Sequence, residues 1–279
     1  MFACKKSIED VHDTLVEGIA SFFADCGAKK TVLGLSGGID SAVVAALATE
    51  ALGKDAVHAL LMPSEFSTLH SIQDAVDLAE NIGIGYNIVT ISTIYNKFMK
   101  ELQPVFGDNS QWSVAEENLQ ARIRGTLLMA YSNKFNALLL NTSNKSELSV
   151  GYGTLYGDLA GALMVIADVY KSEVYELAQF INRERKVIPE STITKAPSAE
   201  LHEGQKDSDT LPDYNILDPI LYSLNEEGKS YESLVKEGMD VAVLNRVISL
   251  KERASFKLHQ VPPVIKVSSK PVVSKEKWI

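Results

Sequence analysis

The sequence predicts a doubly wound α/β fold, a parallel sheet with helices on both faces, and three observations carry that expectation. Short apolar runs alternate with stretches of helical period. The runs are apolar throughout rather than every second residue, as strands buried on both faces are. A glycine-serine turn stands directly between the first run and the first alanine-rich helix.

The elements follow in order. Ile8, Val11, Leu15, Ile19, Phe22 and Phe23 recur at helical spacing and stop at Cys26-Gly27, so the chain opens with an amphipathic helix. Residues 31–35 read as the first strand and 42–52 as the next helix. Residues 57–62 form a second apolar run stopped by Pro63, and Ile72, Val76, Leu78, Ala79 and Ile82 mark a helix ending at Gly83. A third strand is expected over 86–91, helices over 94–103 and 115–133, and a buried strand over 137–140. Beyond Asn141 the texture becomes a polar, glycine-rich loop reaching Gly161, followed by a helix over 171–184. A second loop, 188–211, carries Pro189, Pro197 and Gly204. Residues 214–256 look helical, and the tail with Pro262, Pro263 and Pro271 extended.

Composition narrows the function. The 279 residues are 46% hydrophobic and 23% charged, which is ordinary for a globular chain. Acidic residues outnumber basic ones 36 to 27, for a formal charge of -9, and no basic block offers a footprint for nucleic acid. Cys4 and Cys26 are too few for a disulfide framework, and the five histidines lack metal-ligand spacing. With no signal-peptide core and no apolar run of membrane length, the expectation is a cytoplasmic protein without membrane or nucleic-acid partners.

The strongest local signal is Gly34-Leu35-Ser36-Gly37-Gly38-Ile39-Asp40-Ser41, set between a buried strand and a helix. Glycines let backbone approach an anion closely, and a helix N-terminus turns free N–H groups and a positive dipole end toward it. Ser36 and Ser41 add hydroxyl donors. Asp40 would repel a bare phosphate and suits the magnesium that accompanies ATP; capping the following helix is its alternative role. The loop lacks the lysine of a Walker A motif, which disfavours a kinase or P-loop GTPase. Its place after the first strand of a parallel sheet favours a nucleotide site.

Ser36-Gly37-Gly38-Ile39-Asp40-Ser41 resembles the pyrophosphate loop of the ATP pyrophosphatases, which include GMP, asparagine, argininosuccinate and NAD synthetases. Three further stretches choose among them: Glu116 to Gly125; Asn144-Lys145-Ser146-Glu147 with Gly151 to Asp158; and Ala196 to Leu201 running into Gly204 to Asp207. In this order they are similar to NAD synthetase, from about the first helix to Lys257, and most similar to the synthetase portion of the glutamine-dependent enzymes. Those carry an additional amidase domain; the short opening helix leaves no room for one, so use of free ammonia, or ammonia from a separate glutaminase, is expected.

The resemblance implies the adenine nucleotide alpha-hydrolase-like form of the fold. It implies a single synthetase domain over 1–279, with a nucleotide-binding core over about 1–170 and a helical part and tail over about 171–279. It further implies a homodimer formed partly by the long helix. The implied reaction adenylates deamido-NAD with ATP and magnesium and then lets ammonia displace AMP. Asp40 and Glu147 would hold the metal, and Asp40, Glu147 and Lys171 would form the catalytic group. ATP would meet residues 34–41, Leu61 with the backbone of 60–62, Thr142, Lys171 and Ser198. Deamido-NAD would meet Asn118, Arg122, Glu147, Tyr152 and Lys257. Solvated charge is the ordinary alternative for Arg122 and Arg124, a core position for Tyr152 and an exposed one for Lys257. The chain departs from the family pattern at Asn141-Thr142-Ser143, where a glycine is usual, and at Leu258-His259, where an arginine is expected. A different acceptor, or a non-catalytic nucleotide sensor, are the competing readings. The loops 151–158 and 197–209 are expected to close over ATP.

Overall fold

A computed structural model describes residues 6–107 and 111–279; Cys4 lies outside the described residues. Strands β1 (Thr31–Gly34), β2 (Val57–Leu61), β3 (Gly85–Ile88), β4 (Leu138–Asn141) and β5 (Leu163–Met164) form one sheet in the order β3-β2-β1-β4-β5. Every pairing is parallel. The order reverses between β1 and β4, so the crevice at their carboxyl ends is the topological switch point of the fold.

Alternation along the strands decides which helices cover which face. Leu33, Ala59, Leu61 and Leu140 turn to one side, against α1 (Ile8–Asp25), α2 (Ile39–Leu52), α3 (Leu69–Ile82) and α7 (Lys171–Ile181). Val32, Leu60 and Leu139 turn to the other, against α4 (Ser92–Phe106) and α5 (Val114–Phe135). α1 buries Val11, Leu15, Ile19 and Phe23, the stripe its spacing predicts, and Ser7 caps it by accepting from the Asp10 N–H.

Several boundaries differ from the sequence reading. β3 stops at Ile88 because Ile91 already leads into α4, with its N–H bonded to Pro63 O at 3.0 Å. The stretch read as a loop from 141 contains α6 (Lys145–Val150) and runs directly into β5, while α8 (Glu190–Thr194) interrupts the second loop. α7 ends at Ile181 because Asn182 Oδ1 accepts the N–H groups of Val187 and Ile188, each at 2.8 Å. Residues 214–256 resolve into α9 (Tyr214–Asn225), α10 (Tyr231–Lys236) and α11 (Val241–Ala254), which share an apolar cluster of Leu217, Leu221, Leu234, Leu244 and Val247. The extended tail lays Val264 beside Met164 in a parallel bridge. The main core crosses residue 170: Val174 and Leu177 of α7 and Ile265 and Val267 of the tail are buried in it.

Candidate functional site

The turn after β1 is held by its own polar groups. Ser41 Oγ donates to Gly38 O (3.0 Å) and lies 3.2 Å from Ser36 Oγ, which accepts the Gly38 N–H at 3.1 Å. Gly37 has φ +81, and a Cβ there would stand 2.1 Å from Ser71 O, so the turn sits on the start of α3 where no side chain fits. Gly38 is the N-cap of α2 and supplies no side-chain cap. Asp40 lies in the first turn of α2, but its carboxylate does not cap the helix. Oδ1 accepts from Asn144 Nδ2 at 2.9 Å and Oδ2 accepts from Lys171 Nζ at 2.5 Å.

Glu147 reaches the same point from β4's side. Asn144 caps α6 by accepting the Glu147 N–H at 3.0 Å, so one side chain both starts this helix and holds Asp40. Lys171, the first residue of α7, places Nζ 3.2 Å from Glu147 Oε1 as well, with its side chain 3% exposed and the Tyr214 ring 5.2 Å away. Burial works against the Lys171 charge, but Asp40 and Glu147 outweigh it and the ammonium is held above its ordinary pKa. Burial pushes Glu147 up to about 8, with Lys171 pulling the other way and Asp40 and Asp207 adding to the rise. Asp207 is also raised by burial; it accepts from Tyr152 OH (3.3 Å) and Tyr214 OH (3.0 Å).

These groups open on a cavity of about 320 Å³ at the switch point, within the size range of small-molecule sites. Of the positions expected to meet ATP, residues 34–36 and 38–41, Leu61, Thr142, Lys171 and Ser198 line it. Gly37 faces Ser71 instead. The carbonyls at the end of β2 are engaged: Leu60 O by Leu35 N–H (3.0 Å), Leu61 O by Val89 N–H (2.8 Å) and Met62 O by Arg124 Nε (3.0 Å). Glu147 and Tyr152 also line the cavity. Asn118, Arg122 and Lys257 hold the neighbouring loop: Asn118 Oδ1 accepts from Thr154 Oγ1 (2.7 Å), and Arg122 Nε donates to Leu155 O (3.2 Å). Lys257 Nζ donates to Gly151 O and Gly153 O (2.8 and 2.7 Å).

Arg124, one turn from Gln120 on α5, lines the cavity where Arg122 does not, and burial lowers its pKa to about 10. The 196–207 stretch over the cavity is anchored twice. Glu200 accepts from Thr68 Oγ1 (3.0 Å) and Ser71 Oγ (2.7 Å), and Gln120 Nε2 donates to Leu201 O (2.7 Å). Sequence reasoning gave no role to Asn144 or Asp207, although both stand in stretches that carry the family resemblance. Asn144 had a signal, since Asn-x-x-Glu is a helix-start signature; Asp207 sits in a stretch with no period to betray it. Among the described residues no three His, Cys, Asp or Glu side chains are placed to hold a metal by themselves.

A glycine-serine turn at the switch point of an all-parallel sheet, with two carboxylates and an ammonium converging beside it, defines a nucleotide-binding α/β protein equipped for phosphate chemistry. The chain belongs to the NAD synthase family, whose model matches residues 11–261. The glutamine-dependent NAD(+) synthetase of Synechocystis sp. is 48% identical over 262 residues, covering 94% of this chain and 47% of that protein. The chain thus spans about half the length of the curated relatives it matches. The structure of the NH3-dependent NAD synthetase from Campylobacter jejuni matches with 33% identity and a TM-score of 0.75, over 94% of this chain and all of that one (100%). The structure of NMN synthetase from Francisella tularensis matches with 29% identity and a TM-score of 0.78, over 96% and 99%.

Proposed function

We propose that this chain is a single synthetase domain that amidates deamido-NAD at the expense of ATP. The observation that carries the reading is the meeting of Asp40, Glu147 and Lys171 at the mouth of the glycine-serine turn. A carboxylate is a poor electrophile. A nicotinate oxygen bonds to the α-phosphorus of ATP as the bond to the bridging oxygen breaks, and pyrophosphate leaves toward residues 36–41. Ammonia then attacks the carbonyl carbon, the bond to AMP breaks, and a proton is lost. The work of such a site is positioning and charge stabilisation rather than nucleophilic attack by a side chain. Ser36, Ser41 and the open N–H groups of α2 face the leaving phosphates, and the Lys171 ammonium faces the transferred one. Tyr152 offers a ring to the dinucleotide, beside the loop that Asn118, Arg122 and Lys257 support.

Asp40 and Glu147 bring two carboxyl groups to one point, and oxygen donors of this kind, few in number, suit a magnesium ion that accompanies a nucleotide. Asp40 and Glu147 would hold it, and when bound it offsets charge on the departing pyrophosphate.

The nitrogen consumed is ammonia, whether free or delivered by a glutaminase. Val105, Phe106, Val114, Met129 and Phe135 expose apolar surface on α4 and α5, which supports pairing of two copies across the long helix. No helix among the described residues is long and apolar enough to cross a membrane, and the exposed free Cys26 suits a reducing cytoplasm. Closure of 197–209 over ATP is read by its protease resistance, which ATP and deamido-NAD together should raise.

The test is to supply ATP, magnesium and either deamido-NAD or nicotinate mononucleotide, with ammonium or glutamine, and follow pyrophosphate, AMP and the amide product. NAD from ammonium supports the reading. Turnover of the mononucleotide alone would move the chain to the activity for which the Francisella protein is named. Neither product, with ATP bound, would sink it.

A further inference from the structure

Lys171 and Glu147 stand on different helices, and nothing within either helix sets the distance between them. A third helix, α9, bears on it. Asp218 of α9 is wholly buried, and its two carboxylate oxygens reach the two helices separately. Oδ1 accepts from Ser146 Oγ, the residue before Glu147, at 2.5 Å; Oδ2 accepts from the Ser172 N–H, the residue after Lys171, at 2.8 Å. Ser146 Oγ in turn accepts the Lys171 N–H at 2.9 Å. The first turn of α7 therefore has two of its free N–H groups satisfied from outside, by α6 and α9, and Tyr170 at its N-cap gives no side-chain cap.

We infer that Asp218, through Ser146, is a positioning residue that joins the N-terminal ends of α6 and α7 and so fixes Lys171 against Glu147. The carboxylate touches no substrate, since it does not line the cavity. Three hydrogen bonds close a ring through Asp218, Ser146 and the Lys171–Ser172 backbone. Loss of the carboxylate removes the link through α9 and leaves the two ends held by the Lys171 N–H on Ser146 Oγ and the Lys145 N–H on Val169 O, each at 2.9 Å, so the start of α7 gains room to shift while each helix stays intact. The catalytic part of this inference rests on the synthetase reading; the structural part does not.

The experiment compares Asp218→Ala, Asp218→Asn and Ser146→Ala with Leu221→Ala, a core truncation one turn along the same helix. Amide exchange at Lys171 and Ser172 is read by NMR, and steady-state kinetics are run below every variant's unfolding temperature. Asp218→Ala and Ser146→Ala should each speed exchange at these two amides about tenfold or more, and the double variant should add little. Both should lower kcat by about 10- to 100-fold, the effect of a misplacement on the order of an ångström, with KM for ATP within about threefold. Asp218→Asn, which keeps one acceptor and one donor in the same shape, should recover most of the loss. Leu221→Ala should leave kcat and these two amides as in the wild type. Should Asp218→Ala not fold, Ser146→Ala and Asp218→Asn decide the matter. Unchanged exchange at Lys171 and Ser172, or a kcat loss matched by Leu221→Ala, would overturn the inference. Faster exchange in a protein whose wild type makes no NAD would retain the joint and discard the synthetase reading instead.

Discussion

A single ammonium, that of Lys171, is shared by the carboxyl groups of Asp40 and Glu147. Glu147 is pushed up by burial, so the folded protein keeps a proton that the unfolded chain has released between the ordinary value of 4.5 and about 8. A folded state that binds more protons loses stability as pH rises through that window. Glu147→Gln, which cannot ionise, should therefore flatten the fall of the thermal midpoint between pH 5 and 8 while abolishing turnover; parallel pH–stability curves for variant and wild type would refute the assignment. Asp40 sits in the first turn of α2 and receives Asn144 and Lys171 directly. Asp40→Asn keeps the shape and removes the charge, so kcat should fall by about 100-fold or more with the thermal midpoint moved only slightly. Near-normal turnover would mean that Asp40 holds no metal.

At the scale of elements, the site depends on how closely the turn after β1 approaches α3. Gly37 and Gly53 have nearly the same φ, +81 and +83, but a Cβ at Gly53 meets nothing within 4 Å whereas one at Gly37 meets Ser71 O at 2.1 Å. Gly53, with ψ 149, lies outside the left-handed helical region, so Gly53→Ala should cost the backbone conformation, about 1–3 kcal/mol, and Gly37→Ala at least about 2 kcal/mol more, because α3 must move. Urea unfolding midpoints of the two variants measure the difference; equal losses would show that the turn does not need its contact with α3. This turn was legible in the sequence because glycine and serine between an apolar run and an alanine-rich helix allow little else. β1, β2 and β4 were legible for the same reason, as uniformly apolar runs. α6 and β5 were not: six residues are too few to show a period, and two residues leave a strand without a pattern of its own. Glu147 and Lys171 were found through family resemblance rather than periodicity. Asp207 and Asp218 were given no role because Tyr152 and Ser146, which tie them to the site, lie 55 and 72 residues away and meet them only once the chain has folded.

Over the whole molecule, the tail, the C-terminal helices and the site are tied together by one buried cation. Lys145 is fully buried next to the N-cap of α6; Nζ lies 2.9 Å from Asp168 Oδ1, donates to Ser268 Oγ (2.8 Å) and Lys270 O (3.2 Å) and pairs with Glu226 at the end of α9. Asp168 in turn accepts the N–H groups of Val267 and Ser268 at 2.8 and 2.6 Å, which fixes the tail beside β5. Such an ion pair adds little net stability over an apolar core of the same shape, but removing one partner leaves charge without compensation. Lys145→Met fits the space and abandons both the Asp168 and Glu226 carboxylates, so it should destabilise by about 3–5 kcal/mol. The loss should be nearly independent of salt, because buried pairs are little screened. It should also appear first in the tail: limited proteolysis of the variant under native conditions should cut near Lys270 before the sheet unfolds. A loss below about 1 kcal/mol in urea, or cleavage elsewhere first, would mean that the apolar contacts of Ile265 and Val267 hold the tail without the cation. If the prediction stands, the adjacent Asn144 and Glu147 are mounted on an anchored end of α6, and the geometry around Lys171 depends on a tail that reaches Lys145 from 125 residues further along the chain.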